Sequence, residues 1–218
     1  MRAEMTIDVR RYTRAEELAN MLTHGVGVVL SVIGGGLLLV AADASGFPYA
    51  LASCAIYAAT LVLLYSASTL YHRDPKPSLR MLDHIAIFLL IAGTYTPFEL
   101  VTLRGTWGWP LFAITWGLAA LGVALELTPL QRFRGAMVAL YIAMGWVGLI
   151  ALKPLIAALP GPGLWLLFGG GALYTGGVLF YRMHALRYHH AVWHLFVLGG
   201  SVLQYFAVLC YVLAPARA

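Results

Sequence analysis

The sequence predicts an all-α fold: a polytopic membrane protein built as a bundle of seven transmembrane helices. Three observations carry the prediction. Hydrophobic residues fill 61% of the 218 positions and charged residues only 11%, against roughly 25% charged in soluble globular domains. The mean hydropathy of +0.81 leaves too little charge to cover a water-facing surface. Charge-free runs recur along the chain at about the length needed to cross a bilayer core, roughly 17–25 residues. Together these exclude a soluble enzyme, a disordered tail and a disulfide-stapled secreted domain.

The helices follow in order. The first runs through Val26–Ala42, with Leu18–Gly25 as its entrance, and the second through Phe47–Tyr71. The third spans Ile85–Phe98 and continues past Glu99 through Leu100–Leu103. Gly105–Leu125 and Gly135–Leu152 give the fourth and fifth. Pro160-Gly161-Pro162-Gly163 is a turn, which leaves Leu164–Tyr181 as the sixth and Ala191–Ala216 as the seventh. Strands of a β-barrel would alternate in polarity over about 10 residues, whereas these runs are continuously apolar. Irregular backbone facing lipid would strand its amides, so helices joined by short loops remain. Residues 1–16 read as a short cytoplasmic segment without a cleavable signal, and 17–214 as one transmembrane domain.

Orientation follows from the basic residues of the short loops. On the N-terminal side lie Arg2, Arg10, Arg11, Arg14, Arg73, Lys76, Arg80, Arg132, Arg134, Arg182 and Arg187; the other side holds only Arg104, Lys153 and Arg217. The N-terminus is therefore expected in the cytoplasm and the C-terminus outside, with Trp107, Trp109 and Trp165 in an outer aromatic belt. The net charge of +5 is scattered between apolar runs and forms no basic block, so nucleic acid is not expected as a partner. Cys54 and Cys210 lie within apolar runs and read as packing residues. The triple glycines at 34–36 and 169–171 read as close helix packing.

The informative positions are ionisable groups at span ends, which are costly to bury without a partner. Span 2 ends Ser68-Thr69-Leu70-Tyr71-His72, span 3 opens Leu82-Asp83-His84, and span 7 opens His190-Ala191-Val192-Trp193-His194. His190 and His194 share a helix face, as do Ser68 and His72, because residues four apart project together. With seven spans, these three span ends lie on one side, here the cytoplasmic one. His72, Asp83, His190 and His194 can therefore share a depth if the helices are neighbours. Three imidazoles with an open position suit zinc, and nickel or copper also accept imidazole. Asp83 admits a second reading as the N-cap of span 3. His24 reads equally as a support for the ligands or as a polar group joining helices. His84 points away from Asp83, His184 and His189 are expected in a loop, and Glu99, after Pro97, reads as a solvated carboxylate or a kink.

Ser-x-x-x-His ending span 2, Asp near the start of span 3 and His-x-x-x-His in span 7 together resemble the hemolysin III family. Glu17-x-x-Asn20 with Thr23-His24, and Gly93-Thr94-Tyr95-Thr96-Pro97-Phe98, extend the likeness from about Glu17 to the end of span 7. That family belongs with the adiponectin and progestin receptors in a wider group of seven-helix metal-dependent membrane hydrolases that includes alkaline ceramidases. The resemblance implies zinc held by His72, His190 and His194, Asp83 acting through the metal's water, and Ser68 beside them. The leading expectation is thus a zinc-dependent intramembrane hydrolase of a lipid amide or ester. Alternatives are a sensor or regulator in which zinc is structural, and a pore-forming protein.

Overall fold

The structure, a computed structural model, describes residues 12–214. Seven of its helical segments are long and apolar enough to cross a membrane. α1 covers Arg14–Ser45, α2 Ala50–Arg73, α3 Pro77–Pro97 and α4 Gly108–Glu126. Span 5 is built from α5 (Arg134–Gly145), a 3₁₀ turn (Val147–Ala151) and α6 (Leu152–Ala158). α7 (Gly161–Arg182) and α8 (His189–Ala207) complete the bundle. α1 packs on α2 and α8, α2 on α3, α3 on α4 and α5, and α7 on α8. The expected 1–16 segment falls mostly on residues 1–11, and Arg217 on 215–218, outside the described residues.

Local chemistry sets the helix ends. Thr13 and Glu16 form a capping box that starts α1, and Gly46, in the left-handed region at φ 66°, ends it. α1 is 32 residues long, about 48 Å at 1.5 Å per residue, against roughly 30 Å of bilayer hydrocarbon. Its first turns, rather than a loop, therefore carry Glu17, Asn20, Thr23 and His24. α3 begins at Pro77 after Lys76 as N-cap. Asp83 thus lies in the second turn of α3, and the N-cap reading of it fails. His189 is the first residue of α8 and is buried, so the loop expected there is shorter; His184 stays in the turn.

Three other expectations change. Span 5 is broken rather than continuous, and the Tyr95 hydroxyl meets the break by donating to the Gly145 carbonyl and accepting from the Gly148 N–H. Glu99 is buried, not solvated: Thr115 donates to its carboxyl oxygens at 3.0 and 3.3 Å. It sits in a π-helical turn, Phe98–Thr102, that extends α3. Cys54 is buried as expected, whereas Cys210 is exposed on the bundle surface. The glycine triplets do pack: a Cβ on Gly35 would sit 3.1 Å from that of Ala58, and one on Gly170 2.6 Å from Gln204, although Gly36 faces open space. Trp107, Trp109 and Trp165 are exposed, as belt residues are.

Candidate metal centre

The end of α2 and the start of α8 bring three imidazoles together. One ligand atom each from His72, His190 and His194 lies within 4.8 Å of the others. The ring centroids are 5.0 Å apart for His72–His190 and His72–His194, and 4.5 Å for His190–His194. His72 and His194 are buried and His190 is half-buried. The helical register of α8 produces this: its i, i+4 pair points both imidazoles at the end of α2.

Helix α1 fixes how two of the rings face. His72 Nδ1 is 2.7 Å from the Glu17 carboxylate, with the Asn20 side chain at 3.5 Å. His194 Nδ1 is 3.1 Å from the Asn20 carbonyl oxygen and 3.1 Å from Thr23 Oγ1. An acceptor at Nδ1 holds the proton there and leaves Nε2 as the free lone pair, the arrangement metal-binding imidazoles use. His72 Nε2 and His190 Nδ1 are buried without a hydrogen-bond partner among the described residues. Glu16 adds a further tie, accepting at 3.2 Å from the backbone N–H of Tyr188, the left-handed residue that precedes α8. The sequence offered the Glu17-x-x-Asn20 and Thr23-His24 pattern but no sign of these roles, because each partner is more than 50 positions away.

Asp83, Ser68, His190 and His194 line one end of a cavity of about 150 Å³. Ser68 is buried, with its hydroxyl beside Asp83. From there the cavity descends between α3, span 5, α7 and α8, along mostly apolar walls such as Leu90, Ile91 and Val197, to Tyr95, Trp146 and Gln204. From Asp83 to Tyr95 along α3 is about 18 Å at 1.5 Å per residue. His84, which also lines this cavity, joins a cluster the sequence did not suggest. Its Nδ1 is 2.9 Å from Glu126 and 2.7 Å from Arg134, and Arg134 also donates to Glu126 at 3.1 Å. Glu126 is fully buried and this pairing supplies its counter-charge. In the sequence Arg134 reads only as one of the loop charges that set the orientation.

Fold and site together define a seven-helix membrane protein with a histidine-rich candidate metal centre at one end of its bundle and a largely apolar interior cavity. The chain belongs to the haemolysin-III-related family, whose sequence profile matches residues 12–205. It is 45% identical over 218 residues to Hemolysin-3 of Bacillus cereus, covering 97% of this chain and 100% of that protein. It is 44% identical over 204 residues to a Hemolysin-3 homolog of Bacillus subtilis (strain 168), covering 92% of this chain and 96% of that one. A more distant relative is the monocyte to macrophage differentiation factor of Homo sapiens, 26% identical over 207 residues, 90% of this chain and 84% of the relative.

Proposed function

We propose that the protein is a zinc-dependent intramembrane hydrolase of a lipid amide or ester, embedded in the cell membrane with its site towards the cytoplasm. The observation that carries the reading is the grouping of His72 with His190 and His194, the latter two lining a largely apolar cavity shared with Asp83 and Ser68. The donor set fits zinc: three imidazoles, two of them with lone pairs aimed by acceptors on α1, and two buried nitrogens without a partner among the described residues. Among the described residues the group has three protein ligands and no fourth. An open position favours catalysis over the four-ligand sites of structural zinc, and so over the sensor reading.

Zinc, when bound, polarises a carbonyl and lowers the pKa of water towards about 7. His72, His190 and His194 would hold it there. Asp83 takes the proton of the attacking water and returns it to the leaving amine or alkoxide as the acyl bond breaks. The Ser68 hydroxyl, in the cavity wall beside Asp83, donates to the substrate. The apolar walls take the acyl chain and keep bulk water from the reacting atoms. A pore would need a polar stripe through several spans, and beyond the site these walls are mostly apolar. The test is metal content of wild type against His72→Ala and His190→Ala, followed by analysis of lipids from bilayers incubated with each. Wild type is expected to hold one zinc and release a fatty acid, and both variants to lose both properties. Full zinc in the variants, or no hydrolysis of any lipid by zinc-loaded wild type, overturns the proposal.

A further inference from the structure

His24, on the first helix, is 4% exposed, and neither ring nitrogen has a hydrogen-bond partner among the described residues, yet the residue lines the cavity. Four other histidines, His72, His84, His189 and His194, each hold a partner through Nδ1, and His190, unpaired at Nδ1, belongs to the candidate metal group. A polar group that joined helices would hydrogen-bond across them, so that reading of His24 fails. The ring is instead held by its face and its edge. It stacks on His194 with centroids 3.5 Å apart and planes 13° from parallel, and it meets Tyr65 edge-on at 5.1 Å. Tyr65 is itself pinned, its hydroxyl donating to Ser201 Oγ at 2.7 Å. Packing therefore fixes the imidazole without using either nitrogen.

The same stacking decides against a fourth metal ligand. An imidazole lone pair lies in its ring plane, and two nearly parallel rings 3.5 Å apart cannot aim theirs at one ion. His24 accordingly stays outside the group of three. What remains is a ring beside a metal ligand, in the cavity lining, with both nitrogens buried and one N–H in its neutral form. A buried donor left unpaired is costly, and a ligand in the cavity is what relieves it. We propose that His24 is a substrate-contacting hydrogen-bond donor, its ring N–H serving the carbonyl oxygen of the lipid acyl group. The identity of that oxygen rests on the hydrolase reading. Charge develops on this oxygen during attack, where a fixed donor counts most.

The experiment uses zinc-loaded protein in detergent and dodecanoyl hydroxamate, an acyl probe that is not turned over. Zinc content is expected to be unchanged in His24→Phe and His24→Gln. Hydroxamate affinity, by calorimetry, is expected to fall roughly 10- to 100-fold in His24→Phe, the loss of one hydrogen bond to a charged group. Most of it should return in His24→Gln, which restores an N–H donor. Unchanged affinity in His24→Phe, or failure of Gln to rescue it, overturns the assignment; loss of zinc from His24→Phe would also do so, making the ring a support for His194. Should the Phe variant not fold, wild type with ¹⁵N-labelled histidine decides: the probe must shift the His24 ring resonance, and an unmoved resonance refutes the role. If zinc-loaded wild type hydrolyses no lipid, the hydrolase reading falls while the hydroxamate result still judges His24.

Discussion

The Glu17 carboxylate, 2.7 Å from His72 Nδ1, determines which nitrogen of that ring is free. A carboxylate at that position also makes the imidazole a stronger donor to a cation, and removing such partners costs 10- to 100-fold in metal affinity. Glu17→Gln keeps the shape and removes the charge, so zinc affinity measured against a competing chelator is expected to fall by about one order of magnitude. An unchanged affinity would mean that α1 does not tune the site. Histidine positions were legible in the sequence because i, i+4 spacing and span parity are both local counts. Glu17, Asn20 and Thr23 were not, because their roles depend on α1 reaching Arg14 and packing on both α2 and α8.

At the scale of elements, hydropathy located all seven spans and missed what interrupts them. A hydropathy run is blind to backbone hydrogen bonding, and so cannot tell an unbroken helix from the 3₁₀ turn of span 5 or the π turn after α3. Those irregular stretches survive in an apolar setting because side chains serve the freed backbone, as Tyr95 does at Gly145 and Gly148. The π turn also demands close approach by the next helix. A Cβ on Gly108 would stand 2.0 Å from the carbonyl oxygen of Glu99 and 2.8 Å from that of Leu103. Both obstacles are backbone, so neither can swing aside. Gly108→Ala is expected to destabilise the folded protein by about 1–3 kcal/mol, the usual cost of overpacking, seen as a lower melting temperature in detergent. Zinc stoichiometry of the folded fraction should stay at the wild-type value, since Gly108 and the histidines belong to separate parts of the chain.

Across the whole molecule, the candidate centre joins segments that lie far apart in sequence. His72 closes α2, His190 and His194 open α8, and α1 holds two of the three rings. A cation gripped there would link the first, second and seventh spans at one end, while α3, span 5 and α7 contribute cavity wall. A ligand bound only by the folded state stabilises it by about 2.7 kcal/mol at a hundredfold excess over its dissociation constant. Stripping the metal with a chelator is therefore expected to lower the wild-type melting temperature by several degrees, reversibly on adding zinc. The same treatment should leave His190→Ala unmoved, because that variant has no complete ligand set to empty. A chelator effect of equal size in both proteins would trace to another site, and none in either would show that the histidines contribute nothing to holding the bundle together. The comparison needs no turnover, so it separates a metal that braces three helices from the chemistry proposed for it.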